Sequence, residues 1–105
     1  MPKHNRTSEH EIALAVLRYL ATVPGGEATV TAIKKNVPNF IKLTADDLQP
    51  SGTRPNEMVY QQVIGNIVSH RHDSEDNFVN RGLLSYRPRH LKITDAGRNY
   101  LKKRG

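Results

Sequence analysis

The chain has 105 residues, of which 36% are hydrophobic, enough for one domain with a single core. Cysteine is absent, which excludes disulfides, thiolate metal sites and thiol nucleophiles. No stretch is apolar and long enough for a signal peptide or a membrane span, so we expect a soluble cytoplasmic protein. The net charge of +6 arises from residues 81–105, which carry eight Lys/Arg and one acidic residue, and such a basic segment favours a polyanionic partner.

The first helix is predicted to follow a disordered tail of residues 1–8. Ser8 and Glu11 have the spacing of a capping box, which marks the start of a helix. The apolar residues that then recur at helical spacing are Ile12, Ala13, Val16, Leu17, Leu20 and Val23. Leu14 lies off this stripe, so we expect it to be exposed. The Pro-Gly-Gly sequence of residues 24–26 ends the helix.

A short strand at residues 27–28 is predicted to lead into a second helix, residues 30–37, which Thr29 caps. The polar segment after this helix is rich in turn-forming residues. Within it, Thr44 and Asp47 are placed to cap one helical turn, where a negative charge is stabilising.

A third helix is predicted over residues 57–70, with Asn56 as its N-cap. The side chains expected to face inward are Tyr60, Val63, Ile64, Ile67 and Val68. Those expected to face outward are Met58, Gln61, Gln62, Gly65, Asn66 and Ser69. Residues 72–77 are acidic and polar, which predicts either a loop after the helix or a frayed continuation of it.

Two strands and a fourth helix complete the prediction. Gly82 provides a turn into strands at residues 83–87 and 90–93, joined by a tip that contains Pro88. Thr94 then caps the last helix.

This order of elements is typical of a winged helix-turn-helix, an α+β fold that is mainly α, whose hairpin forms the wing. The domain is predicted to span residues 9–101, with the wing at residues 83–93 and a basic tail at residues 102–105.

Three segments form a further pattern: the loop Leu43-Thr-Ala-Asp-Asp-Leu-Gln-Pro-Ser-Gly-Thr-Arg-Pro55, Asn80-Arg-Gly-Leu-Leu84 and Ile93-Thr-Asp-Ala-Gly-Arg98. Together with the helix that follows the loop, they resemble the N-terminal domain of Mrr-like modified-DNA restriction endonucleases. The resemblance covers most of residues 12–101 and implies a DNA-recognition module. It does not include a nuclease domain, so it implies no cutting activity. The segment at residues 70–80 is longer and more acidic than in that family.

The outward face of the third helix is the candidate base-reading surface. Gln62 and Asn66 lie one turn apart, and each carries an amide that can pair with adenine N6 and N7. Gly65 between them would leave space for a base edge, and Gln61 and Ser69 share the face. The competing interpretation is an uncharged polar face that is simply solvated.

Basic side chains outside this helix are the candidate phosphate contacts. Arg54 lies in the loop before it, and Arg87, Arg89 and Lys92 lie on the hairpin. The alternative is a hairpin charged to prevent edge-to-edge strand pairing. The basic run at residues 102–104 also complements the dipole of the last helix and is weaker support.

Neither a metal site nor a catalytic site is predicted. His70, His72 and His90 could ligate zinc, but no ligand-spacing motif accompanies them. No enzymatic motif, catalytic residue or cofactor site is recognisable.

The predicted function is binding of double-stranded DNA, as a transcription regulator or as the recognition module of a restriction or defence system. The alternative is a winged-helix module for protein interaction or homodimerisation, motivated by Leu14 and by the basic patch. RNA is a weaker candidate, because aromatic pairs that stack unpaired bases are absent from the basic region.

Overall fold

The elements follow the predicted order in the computed structural model, which describes residues 7–52 and 56–104. They are α1 (Glu9–Thr22), β1 (Glu27–Thr29), α2 (Val30–Asn36), α3 (Val59–Ser69), β2 (Leu84–Arg87), β3 (His90–Ile93) and α4 (Asp95–Arg104). The described part of the chain is therefore an α+β domain with four α-helices and one small sheet. None of these helices is both long enough and apolar enough to cross a bilayer.

Helix α1 lies at the centre of the core and contacts α2, α3, α4 and β3. Its predicted cap is confirmed, since the Ser8 hydroxyl accepts a hydrogen bond from the Glu11 amide at 3.1 Å. Its buried residues are Ile12, Ala13, Leu14, Ala15, Val16, Leu17 and Leu20. The prediction that Leu14 is exposed is wrong: its exposed fraction is 1%, because elements pack against α1 on more than one side.

Helix α2 is short and begins at its predicted cap. The Thr29 hydroxyl accepts a hydrogen bond from the Ala32 amide at 3.0 Å. Ile33 is fully buried, and the helix ends one residue before the predicted limit, where a 3₁₀ turn, Val37–Asn39, follows. Pro38 within this turn cannot continue the α-helical hydrogen-bond ladder.

The sheet is antiparallel with strand order β1-β3-β2, so β3 is the central strand. Ala28 and Tyr86 both pair with Leu91, and these three side chains share the face toward the helices. The alternate positions put the polar side chains on the opposite face; they are Glu27, Thr29, Ser85, Arg87, His90 and Lys92. We call this second face the outer sheet face.

Helix α4 packs directly on the base of the hairpin. Thr94 caps it as predicted, since its hydroxyl accepts from the Gly97 amide at 3.0 Å and donates to the Gly82 carbonyl at 2.6 Å. A Cβ atom at Gly97 would lie 2.3 Å from the Leu83 carbonyl oxygen. Only glycine permits this approach. The helix continues to Arg104, the last described residue.

The segment between α3 and β2 is a series of turns anchored by a buried asparagine. Asn77, which the sequence places in a polar loop, has an exposed fraction of 2%. Its side-chain amide donates to the Ile67 carbonyl at 2.8 Å, and its carbonyl accepts from the Val79 amide at 2.8 Å. It thereby satisfies a terminal carbonyl of α3. Phe78 beside it is buried, with its ring edge-to-face against Tyr100.

Candidate nucleic-acid interface

The start of α3 is fixed by the loop that precedes it. The predicted capped turn is confirmed: the Asp47 amide donates to the Thr44 hydroxyl at 3.1 Å, and the Thr44 amide donates to the Asp47 carboxylate at 2.9 Å. The carbonyls of Asp47 and Gln49 then accept from the amides of Tyr60 and Val59. The first amides of α3, which lack partners within the helix, are thus satisfied by this loop.

The Asp47 carboxylate is fully buried and is held by hydrogen bonds rather than by a cation. It accepts from both the amide and the hydroxyl of Thr7 and from the Thr44 amide. Burial acts to raise the pKa of Asp47, but the combined hydrogen bonds from Thr7 and Thr44 outweigh it and lower the pKa. The group is therefore ionised at neutral pH, and its role is to tie the N-terminal segment to the loop that positions α3.

The N-cap of α3 is Met58, so the prediction that Asn56 caps it is wrong. Asn56 adopts a left-handed backbone with φ of 70°, and the helix begins two residues later than predicted. The Gln61 side-chain carbonyl accepts from the Met58 amide at 2.8 Å. Half-buried Gln61 thus has a structural role at the helix start, and its side chain also hydrogen-bonds the neighbouring Tyr60 hydroxyl, which acts to lower the pKa of Tyr60 against the larger effect of burial.

The middle of the outward face of α3 is partly covered. Gln62 is half-buried, and its carbonyl accepts a hydrogen bond from the Ser51 hydroxyl at 2.5 Å. Gly65, three residues along the same face, is buried. The prediction that Gly65 leaves open space beside a base edge is therefore wrong, because the residue is buried.

The open part of the face is its C-terminal half. Asn66 is half-buried, and its side-chain amide makes no hydrogen bond to any described residue. Ser69, one turn further on, is exposed. Of the four predicted base-reading residues, Ser69 alone is exposed, while Gln61, Gln62 and Asn66 are half-buried.

Arg71 connects this end of α3 to the hairpin. Its guanidinium donates to the Val68 carbonyl at 2.7 Å and lies 4.3 Å above the centroid of the Tyr86 ring on β2. Cation–π stacking of this kind holds the two elements together. Sequence reasoning missed Arg71, since the contact requires knowing that β2 returns to the end of α3.

The outer sheet face carries two of the predicted phosphate contacts, Arg87 and Lys92. Arg87 is 68% exposed and forms an ion pair with Glu27, a residue that the sequence did not single out. The hydrogen bond from Arg87 lowers the pKa of Glu27 against a smaller effect of desolvation, and the positive charges of Arg87, His90 and Lys92 lower it further. Lys92 is exposed and lies directly opposite Glu27 in the strand register.

Arg89 occupies the hairpin tip with an unusual backbone. Its φ is 68°, and it follows Pro88, a combination found in type II turns, where glycine is usual at this position. The Arg89 side chain is exposed, while its carbonyl accepts from the Val30 amide at 2.9 Å. The tip is thereby fixed against the start of α2. Arg54, the remaining predicted phosphate contact, lies outside the described residues, as do residues 1–6 of the predicted tail.

A concavity of about 390 Å³ lies between α2 and the start of α3. It is lined by Thr31, Lys34, Lys35, Asn56, Glu57, Tyr60 and Gln61. Lys34 is paired with Glu57, whereas Lys35 is exposed. The sequence analysis did not assign either lysine to the site, because their position next to Gln61 follows from the packing of α2 on α3.

Among the described residues, no group of three or more His, Asp and Glu side chains is arranged to hold a metal ion. Comparison of the chain with family models, curated proteins and solved structures finds no match.

Proposed function

We propose that the chain is a winged-helix module that binds double-stranded DNA. In this proposal α2 and α3 form the helix-turn-helix, α3 enters the major groove, and the β2–β3 hairpin is the wing that contacts the adjacent backbone. The observation that carries it is the contact between Arg71 and Tyr86, which joins the open, amide-bearing end of α3 to the basic hairpin. The resemblance to Mrr-like proteins favours a defence role, and transcription regulation is the other candidate.

The proposal separates positioning from reading. The side chains that would contact phosphates are Arg87, Arg89 and Lys92 on the hairpin. Arg54 is a further candidate, and Lys35 is added because it lies beside the start of α3. Asn66 and Ser69 would read bases. Gln61 and Gln62 come second, because each already uses its side-chain carbonyl within the domain.

The alternative of a dimerisation module through α1 loses its motivation, because Leu14 belongs to the core. The large apolar side chains that are exposed among the described residues are Leu48 and Met58. Both lie at the N-terminal end of α3, within or next to the proposed DNA-binding surface. They favour a ligand at α3 over a partner at α1.

Fluorescence anisotropy with a labelled duplex, measured from about 50 to 200 mM salt, tests the proposal. We expect affinity to fall with salt, and the double change Arg87→Ala, Arg89→Ala to weaken binding and to flatten the slope of log K against log salt by about two units. Lys102→Ala, Lys103→Ala removes the same charge from the end of α4 and is the matched control. Affinity that is indifferent to salt and to the hairpin change would refute DNA binding.

Chemical-shift mapping with the same duplex tests the geometry. We expect the amide signals of residues 66–71 and 84–92 to move together while those of buried α1 remain in place. Shifts confined to α1 or α4 would contradict the proposed orientation.

A further inference from the structure

The outer sheet face has the composition of an anion site whose centre is filled by the protein's own carboxylate. Glu27 lines a shallow pocket of about 380 Å³ together with Ser85, Tyr86, Arg87 and Lys92. Its side chain is 25% exposed, whereas that of Arg87 is 68% exposed. The Glu27 carboxylate is therefore the more enclosed partner of the ion pair, and the Arg87 guanidinium extends from it into solvent.

The strand register explains this convergence. Glu27 on β1 and Ser85 on β2 both lie opposite Lys92 on the central strand. Arg87, two residues after Ser85, is on the same face and reaches across β3 to Glu27. Arg87 thus contacts the Glu27 carboxylate directly, and Lys92 and Ser85 line the same pocket.

A carboxylate and a phosphate present similar oxygen acceptors to a guanidinium, so they compete for the same donors. We infer that Ser85, Arg87 and Lys92 form a phosphate site on the outer sheet face, and that Glu27 occupies this site in the free protein and must be displaced by a backbone phosphate. The inference rests on the proposed function and adds to it a residue that opposes binding.

Glu27 therefore opposes every anion that needs Arg87. Breaking the Arg87–Glu27 pair costs an isolated phosphate and a duplex the same free energy. A duplex still binds, because it also contacts the other basic side chains and α3. An exposed ion pair contributes little to folding stability, so stapling β1 to β2 is an insufficient account of it.

The test compares Glu27→Gln with Glu75→Gln, a control that removes the same charge from an exposed position in the turns before β2. We expect Glu27→Gln to raise duplex affinity about two- to five-fold at fixed salt, as loss of an exposed competing pair implies. The salt slope should change little, because Arg87 contacts phosphate in both complexes and Glu27→Gln removes only the cost of displacing the carboxylate. When Arg87 is also replaced by alanine, the gain in duplex affinity from Glu27→Gln should largely disappear.

A second titration uses inorganic pyrophosphate and follows the Arg87 Nε–H signal by NMR. We expect this signal to shift at lower pyrophosphate concentration in Glu27→Gln than in wild type. Equal affinity gains for Glu27→Gln and Glu75→Gln, with salt-dependent duplex binding intact, would overturn the inference and leave the proposed function standing. If no variant binds duplex, the proposed function fails. In that case the pyrophosphate titration still tests the anion site. A shift of the Arg87 signal at lower pyrophosphate concentration in Glu27→Gln than in wild type supports the site, and no shift, or the same titration in both proteins, refutes it.

Discussion

Replacing Asp47 with asparagine should destabilise the domain substantially, although the change is nearly isosteric. One carboxylate oxygen accepts from the Thr7 amide, and the other accepts from the Thr7 hydroxyl and the Thr44 amide. The NH₂ of asparagine cannot accept, so at least one backbone donor loses its partner, which costs about 1–3 kcal/mol. The remaining hydrogen bonds lose the strength that the negative charge gives them.

Together these effects amount to about 2–4 kcal/mol, a large part of the roughly 5–15 kcal/mol that stabilises an ordinary domain. Urea and thermal unfolding followed by circular dichroism measure this difference directly. For a chain of this size we expect the melting temperature to fall by about 10–20 °C. Asp76→Asn, which removes a charge from an exposed position, is the control and should change stability little.

The pH dependence of folding stability tests whether the charge of Asp47 causes this loss. Because the pKa of Asp47 is lower in the folded protein than its ordinary value of 3.8, its contribution to stability is present above that value and is lost as the pH falls toward the folded pKa. The gap between wild type and Asp47→Asn should therefore narrow below about pH 4. A gap that is constant with pH, or a loss no larger than that of Asp76→Asn, would refute the argument.

Three further changes probe the elements around the site. Asn77→Ala should reduce the free energy of unfolding by about 2–4 kcal/mol in urea titrations, since it leaves the Ile67 carbonyl and a backbone amide without partners; a loss under about 1 kcal/mol would contradict this. Gly97→Ala should cost about 1–3 kcal/mol, because its Cβ would collide with the Leu83 carbonyl, and a neutral result would mean that α4 can move away. Arg89→Gly should raise the melting temperature slightly by relieving a left-handed backbone while lowering duplex affinity, and a fall in both would refute the assignment of strain.

Local sequence signals predicted the elements well, because their causes lie within a few residues. Ser8, Thr29 and Thr94 cap their helices through side chain to backbone hydrogen bonds three residues away. The hairpin tip was predicted from its proline and basic residues, and β3 has the predicted limits, while β2 begins one residue later.

Burial and pairing were harder, because they depend on residues distant in sequence. Helical spacing cannot show that Leu14 is covered from a second side or that Gly65 is enclosed. Glu27 and Arg87 are 60 residues apart, so no motif links them, and the site appears only once β1 and β2 flank β3. The amide side chains of α3 could be recognised in the sequence. Which of their carbonyls accept hydrogen bonds from other parts of the domain could not.

The hydrogen bond from the Val30 amide to the Arg89 carbonyl ties the hairpin tip to the start of α2 before any ligand arrives. A partner that meets this tip loses little conformational entropy there, so association is less costly than with a loop that must become ordered. The corollary is poor adaptability. If the proposed function holds, a tip attached in this way fits a groove or backbone of one width better than others, so duplexes that differ only in shape should differ in affinity even where no base is touched.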